Sequence, residues 1–343
     1  MRLTRLFPAV LALSAAFLMT ACQPDKAERA EPATAETANG RAGCQRTADP
    51  EAAVAALAEA EARAIQIAEE SHGSGQPAMW TLKDDDTTLY LLGTVHLLRP
   101  DLEWRTPEID AAIAQAETVV FEADTTSPEA GRELMAFFTS QGLFSDGTQL
   151  NSLLTEAEIT QLTKALNEVG LPIEAVQPMR PWYAALNLSV MQMTEGGFDP
   201  AAGVEMSIEA DAKAHGAAFA YLETVDQQLG EFAGLDNCAQ IDFLMQTAES
   251  MKQGTELLDL LVSEWADGDT IGLGALMASP ESFGSQEAYD ALLENRNARW
   301  APLISKMLDE PGTRLIAVGA GHLVGDQSVI VKLRAKGYEV TGP

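Results

Sequence analysis

Two of the four histidines in this chain of 343 residues follow a glycine at the same spacing and close an apolar run. His96 ends the stretch LYLLGTVH, and His322 ends RLIAVGAGH near the other end of the chain. A short apolar run that ends in glycine is typical of a buried strand in an α/β sheet. Such strands present their last residues at the carboxyl edge of the sheet, where ligands bind. We therefore expect the two imidazoles to lie at one site.

Acidic residues follow two further apolar runs in the same way. Glu122 comes directly after TVVF, and Glu223 comes after AFAYL. Two imidazoles and one or two carboxylates can hold a catalytic divalent cation and leave a position open for water. Each carboxylate has an alternative role, because Glu122 could cap a helix near Ser127 and Glu223 a helix near Val225. A histidine at a strand end can likewise be a hydrogen-bonded structural residue.

Other catalytic patterns fit the sequence less well. It contains no Gly-x-Ser-x-Gly elbow, no P-loop and no His-Glu-x-x-His helix, and GAGHLVG lacks the full dinucleotide fingerprint. The pairs Glu122 with Asp124 and Glu205 with Glu209 would suit a glycosidase only at the right separation, which the sequence does not provide. His72 and His215 are predicted to lie in a loop and at a helix end, without a chemical role.

The predicted elements place strands at both ends of the folded region and helices between them. A helix is predicted over 50–70, followed by a hairpin that leads into the first Gly-x-x-His motif. Helical blocks are predicted over about 127–200 and 225–300, and a strand, a helix and a last strand close the chain. The pattern predicts an α/β fold: a central β-sheet with flanking helices and a large helical insert between the two motifs.

The N-terminal residues have the features of an export signal. Arg2 and Arg5 precede a short apolar stretch and then MTAC, which predicts a lipoprotein-type signal peptide over 1–21 and lipidation of Cys22. Gln23 after that cysteine favours an outer-membrane lipoprotein that faces the periplasm; a soluble periplasmic protein is the alternative. Residues 22–46 have the composition of a flexible tether, and 47–343 are predicted to form a single domain.

Charge and cysteine content limit the partners. The net charge of −29 disfavours nucleic acid as a partner, because such a surface repels phosphate backbones. Contact with the membrane is expected through the lipid anchor only. In an oxidising compartment Cys44 and Cys238 are predicted to form a disulfide, with two unrelated buried thiols as the alternative.

Five motifs together carry a resemblance to a known family. They are GTVH ending at His96, FEAD containing Glu122, the block from Gly203 to Thr224, ENRNARW ending at Trp300, and VGAGHLVG containing His322. From about Leu89 to the C-terminal residues, the sequence resembles the TraB/GumN family, to which the Tiki metalloproteases are related.

The resemblance implies both a fold and an activity. The fold is an α/β core of the kind shared with haem-binding ChaN and erythromycin-esterase-like proteins. The activity is peptide cleavage that depends on a divalent metal, with manganese or cobalt favoured and zinc as a further candidate. It implies His96, Glu122 and His322 at the metal, with Arg296 and Asn297 as polarising or orienting groups. Glu205 stands where family members often have Asp in a Gly-x-Asp motif.

The resulting hypothesis is a metal-dependent hydrolase, with a peptide or protein as its substrate. Glu223 would be the general base, although it could exchange roles with Glu122, and Arg296 or Asn297 would stabilise the developing oxyanion. A protein that binds haem, a metal or a peptide without turnover is one alternative, and a scaffold is another. The RNARW segment has its own alternative, a surface helix with Arg296 and Arg299 in ion pairs and Trp300 turned inward. The substrate and the oligomeric state stay open.

Overall fold

The computed structural model describes residues 50–251 and 254–343, with side chains from residue 58 onward. The predicted signal peptide, the lipidation site Cys22, the tether and Cys44 lie outside the described residues. Cys238 is disulfide-bonded, and its pairing with Cys44 stays a prediction. Within the described part of the chain, the helices are all too short or too polar to cross a membrane.

The described chain forms an α/β fold in which helices flank a mixed sheet of six strands. The strands are β1 (Met79–Lys83), β2 (Thr87–Thr94), β3 (Thr118–Phe121), β4 (Ala218–Tyr221), β5 (Gly312–Gly319) and β6 (Val340–Thr341). Their order across the sheet is β4-β3-β5-β2-β1-β6. Strands β2, β3, β4 and β5 run parallel, and β1 is antiparallel to both of its neighbours. The predicted fold class is confirmed.

Helices flank this sheet, and many of those between the two Gly-x-x-His motifs form the predicted insert. They are α1 (Pro50–Glu70), α2 (Pro107–Gln115), α3 (Pro128–Phe137), α4 (Glu156–Glu168), α5 (Pro181–Glu195), α6 (Val204–His215), α7 (Val225–Ala233), α8 (Asn237–Ser250), α9 (Glu256–Asp267), α10 (Thr270–Met277), α11 (Gln286–Tyr289), α12 (Asn295–Lys306) and α13 (Val329–Ala335). A π-helical turn, Asp290–Glu294, leads directly into α12.

The largest two hydrophobic clusters lie around the sheet and within the insert. The one around the sheet packs the central strands against α2, α6, α12 and α13, and it includes the fully buried residues at the middle of β2 and β5. The second lies within the insert, where Leu162 and Leu166 of α4, Leu188 of α5 and Leu244 of α8 are at most 1% exposed. Helices from the two predicted insert segments therefore share one core.

The strand register brings the two histidine motifs to one edge. Gly93 of β2 lies opposite Val318 of β5, and Thr94 lies opposite Gly319. Phe121 of β3 lies opposite Tyr221 of β4 in the same direction. Because these four strands are parallel, the residues that follow each of them meet at the carboxyl edge of the sheet.

Candidate functional site

Arg296 lies at the centre of the residues gathered at this edge. It belongs to the buried face of α12, which also carries Asn297 and Trp300, while Arg299 points outward. Nε donates to Glu223 at 3.1 Å, and Nη2 donates to Glu223 at 2.5 Å and to Glu122 at 2.6 Å. Nη1 donates to the carbonyl oxygen of Leu292 and lies 3.1 Å from Nε2 of His322. All five guanidinium donors therefore have partners, and none remains for a substrate.

Glu122 is bound on both carboxylate oxygens. Oε1 accepts from the N–H of Gly319 at 2.7 Å, and Oε2 accepts from Arg296 and from Nε2 of Gln228 at 2.8 Å. Burial by itself would raise the pKa of Glu122, but the charge of Arg296, with smaller contributions that include the N–H of Gly319, holds that pKa well below its usual range. Glu122 is thus an ionised carboxylate that holds the end of β5 and α12 to the end of β3.

His322 is buried between α12 and the end of β5. Its Nδ1 lies 2.6 Å from Oδ1 of Asn297, whose Nδ2 donates to the carbonyl of Gln327 at 2.9 Å. Since that amide orientation leaves Oδ1 as an acceptor, Nδ1 carries the proton and Nε2 accepts from Arg296. Burial lowers the pKa of His322, and Arg296 lowers it further. His322 is therefore a neutral imidazole, packed 4.4 Å from the ring of Trp300.

Glu223 completes this buried network. Its side chain is 3% exposed, and burial raises its pKa although Arg296 lies against it. One guanidinium thus faces two carboxylates, and the site keeps an excess of acidic groups. The general-base role predicted for Glu223 requires its ion pair with Arg296 to open. The oxyanion role predicted for Arg296 requires the same.

His96 differs from these residues because its side chain is 63% exposed. Its Nδ1 lies 2.7 Å from Oε1 of Glu205, which also accepts from the hydroxyl of Thr94. Helix α6 reaches this position because the N–H of Val204 donates to the carbonyl of Val95 at 3.0 Å. A Cβ on Gly203 would lie 2.2 Å from the carbonyl oxygen of His96, so only glycine allows this approach. Nε2 of His96 has no partner among the described residues and could face a substrate.

Glu205 controls the charge of His96. The charge of Glu205 is the largest influence on the pKa of His96, raising it to about 9 against the opposing effect of desolvation. His96 is thus an imidazolium at neutral pH, able to donate a proton or a charged hydrogen bond.

We expect Glu205→Gln to move the pKa of His96 back toward 6.5, as read from the imidazole resonances in an NMR titration. The ion pair stabilises the fold below pH 6.5, and this contribution is lost as the pH rises through about 9.

The result has a clear control in the same spectra. His72 lies in an exposed loop, and its resonances at a given pH should have the same positions in both proteins. An unchanged pKa of His96 in the variant would contradict the pairing with Glu205.

The structure decides several alternatives that the sequence left open. Neither acidic residue is a helix cap, because the cap of α3 is Ser127 and the cap of α7 is Thr224. In the RNARW segment, Arg299 pairs with Glu231 at the surface as the alternative expected, whereas Arg296 is buried in the site. His215 bonds to the carbonyls of Asp211 and Ala116, which is a structural role. Glu209 bonds to Thr126 and Lys213, apart from the pair of Glu205 with His96.

Two residues of the site escaped the sequence analysis. Glu205 was noted as one of a possible glycosidase pair and as a departure from a family motif, but not as a partner of His96, and Gln228 was not singled out at all. Glu205 stands in the first turn of a helix and Gln228 at the fourth position of another, where polar residues are common. The Gly203–Glu205 spacing carried a weak signal for the first, and nothing local distinguished the second.

A divalent cation does not fit the predicted ligand set in this arrangement. Both oxygens of Glu122 and Nε2 of His322 already bond to donors, and the guanidinium of Arg296 lies between them. Among the described residues, no group of three or more His, Cys, Asp or Glu side chains has the geometry of a metal site. Nε2 of His96 has no partner in the described part of the chain, and an imidazole whose other nitrogen is held by a carboxylate is common in metal centres. The set His96, Glu122 and His322 stays a prediction that requires Arg296 to move.

The fold and the site define an α/β protein with a polar site at the carboxyl edge of its parallel strands. The family model for the TraB/PrgY/gumN family matches residues 78–342, and the chain belongs to that family. Comparisons with curated proteins and with solved structures gave no match.

Proposed function

We propose that this protein is a hydrolase that cleaves peptide bonds at the carboxyl-edge site, on the periplasmic side of the cell envelope. The observation that carries the proposal is His96, an exposed imidazole held by Glu205 beside a buried network of charged residues. Family membership and the resemblance to the Tiki branch support the choice of peptide bonds as the substrate class. The export signal predicted over 1–21 supports the location.

His96 is the group that would meet the scissile bond. With the proton on Nδ1 held by Glu205, Nε2–H of the imidazolium would donate to the carbonyl oxygen as negative charge develops there. Water adds to the carbonyl carbon, and the same proton then passes to the nitrogen of the leaving amine as the C–N bond breaks, which is general acid catalysis. The added water gives up a proton to Nε2, which restores the imidazolium, and the products are the free amine and the carboxylic acid.

The buried network would support this chemistry without touching the substrate. Arg296 and Glu122 join α12, β3 and β5, so the strand ends around His96 are held in one arrangement. Both Glu122 and Arg296 lie close enough to influence the charge of His96, and Glu122 favours its protonated form. We therefore assign Arg296, Glu122, His322 and Asn297 positioning roles in this proposal.

Because every donor of the Arg296 guanidinium already has a partner, a second candidate function is also favoured: a binding protein without turnover. The network forms closed ion pairs and hydrogen bonds, which suits a rigid scaffold beneath a ligand as well as it suits catalysis. The ligand in that case would be haem, a metal ion or a peptide that contacts His96.

The experiment that tests the function is cleavage of a peptide library by the purified protein, read by mass spectrometry. The assay is run on the protein as isolated, after treatment with a chelator, and after addition of Mn²⁺, Co²⁺ or Zn²⁺. Elemental analysis of the wild type beside His96→Ala gives the metal content in parallel. We expect cleavage to persist after treatment with the chelator, because the oxygens of Glu122 and Nε2 of His322 are already bonded to donors.

Each of the other outcomes has a definite meaning. Cleavage that is lost with the chelator and restored by Mn²⁺ or Co²⁺, with metal content reduced in His96→Ala, would support the predicted ligand set and show that Arg296 moves. Absence of cleavage under all conditions, with a visible absorption band after addition of haem, would contradict the hydrolase and support the binding protein.

A further inference from the structure

Two carboxylates lie buried together where α1, α9 and α10 meet, away from the candidate site. Glu264 is 8% exposed and Asp269 is 2% exposed. Asp269 caps α10, and its Oδ1 accepts from the N–H groups of Ile271 and Gly272 at 2.9 Å each. Its other oxygen, Oδ2, has no hydrogen-bond partner within the described part of the chain. A buried oxygen in this state costs free energy unless a proton or a cation reaches it.

Glu264 borders the same position. A Cβ on Gly272 would lie 2.9 Å from Oε2 of Glu264 and 3.0 Å from Oδ2 of Asp269. The same point lies 3.0 Å from Cα of Ala68, so α1 closes over the two oxygens. Two carboxylates this close cannot both stay ionised without strong repulsion, and a single proton held between them removes it.

Among the described residues, no cationic side chain is one of the charged groups that act on Glu264. The charged groups that act on Glu264 are Asp269 at the start of α10 and Asp267 at the end of α9. Burial, followed by these two carboxylates, raises the pKa of Glu264 to about 7. On the side of α1 the hydroxyl of Ser71 donates to the carbonyl of Ile67 at 2.8 Å. Burial would raise the pKa of Asp269, but the same hydroxyl, together with the N–H groups of Ile271 and Gly272, lowers it.

Glu264 and Asp269 lie next to the contacts that hold the segment after α1 to the end of α9. The N–H of Gly73 donates to Oδ2 of Asp267 at 2.6 Å, and the N–H of Gly75 donates to its carbonyl at 2.9 Å. A Cβ on Gly73 would lie 2.0 Å from that carbonyl oxygen, which shows how closely the segment after α1 packs on the end of α9.

We propose that Glu264 and Asp269 share one proton, and that loss of this proton releases α1 and residues 71–77 from α9 and α10. In the protonated state the carboxyl of Glu264 donates to Oδ2 of Asp269 and satisfies it. In the deprotonated state two like charges face each other under Ala68, and separation of α1 lets water reach them. The device acts on the helix that joins the domain to its N-terminal segment and does not depend on the proposed hydrolase activity.

The direction in which pH changes the opening of α1 follows from the raised pKa of Glu264. Its pKa is raised in the closed state, so closure is favoured most below the ordinary value of 4.5 and least above about 7. The equilibrium constant for opening of α1 should rise by up to about tenfold for each pH unit between those values and then level off.

The test is hydrogen exchange of the full chain, followed by mass spectrometry over about pH 5 to pH 8 and corrected for intrinsic exchange rates. In the wild type, protection of α1 and of the first turn of α10 should fall as the pH rises. In Glu264→Gln the amide donates to Oδ2 of Asp269 at every pH, so protection should stay at its low-pH level. Asp269→Asn provides a second variant that removes the same repulsion and keeps an oxygen for the cap.

Glu256→Gln is the matched control, because Glu256 is an exposed glutamate at the start of the same helix. It makes the same change in charge and should leave the pH dependence of the wild type intact. Persistence of that dependence in both Glu264→Gln and Asp269→Asn would overturn the proposal. Restoration of the low-pH protection by CaCl₂ at high pH would overturn it too, since the pair would then be a cation site.

Discussion

Replacing Arg296 by Met is expected to lower the free energy of unfolding by about 3–5 kcal/mol. Arg296 is 6% exposed, and all five donors of its guanidinium are used. Its removal leaves Glu122 and Glu223 buried beside each other without a counter-charge, which is the costly way to break a buried ion pair. Methionine fills much of the same volume, so the loss reports the charges more than a cavity. Chemical denaturation of the purified variant measures it.

Arg299→Met on the same helix is the matched control for this prediction. Arg299 is about half exposed and pairs with Glu231 at the surface, so its loss should cost at most about 1 kcal/mol. Adding Glu223→Gln to Arg296→Met should recover part of the stability, because it removes one of the two unpaired charges. Equal stability of Arg296→Met and Arg299→Met would contradict the buried network.

The cost of Arg296→Met should also depend on pH. In the wild type Arg296 holds the pKa of Glu122 below its unfolded value, so this contribution is present above about pH 4.5 and is lost as the pH falls below it. In the variant one carboxyl takes up a proton instead, and its pKa is raised. The difference in stability between the two proteins should therefore shrink as the pH is lowered.

Replacing His96 by Ala is expected to lower kcat/KM for a cleaved peptide by about 10²–10⁴-fold. In the proposed mechanism this imidazolium is the group that stabilises the oxyanion and protonates the leaving amine. Its side chain is 63% exposed, so the free energy of unfolding should change by less than about 1 kcal/mol. Progress curves with the best peptide from the library, together with denaturation, separate the two effects.

His72→Ala is the control for the loss of a histidine as such. His72 lies in an exposed loop outside the site, and activity and stability should both equal those of the wild type. Full activity in His96→Ala would remove the catalytic assignment, and loss of activity accompanied by unfolding would show that the residue is structural.

Much of the site's location could be predicted from the sequence. The apolar runs before His96, Glu122, Glu223 and His322 indicated buried strands, and buried strands in this pattern are parallel. The run before Glu223 proved to be parallel but not buried, because β4 lies at the edge of the sheet. Parallel strands carry the residues that follow them to one edge, so the convergence followed from local pattern and sheet geometry alone. The α/β class followed from the same alternation of strands and helices.

The partners at the site could not be predicted, because they depend on contacts between distant parts of the chain. Glu122 and Arg296 are 174 positions apart, and Thr94 and Glu205 are 111 apart. The sequence indicated a helix at RNARW but could not show which of its two arginines would be buried. Both carry the same charge, and either could pair with an exposed carboxylate.

What the sequence by itself determined is the set of elements and the edge of the sheet at which the polar residues meet. Those features depend on hydrophobic periodicity and on glycine at strand ends, which act over a few neighbouring residues. Only the tertiary structure decided that the guanidinium of Arg296 lies between Glu122, Glu223 and His322 while His96 pairs with Glu205 and faces solvent. The physical reason is that the pairing of buried charges depends on distances of a few ångströms, and these are set when α6 and α12 pack against the completed sheet.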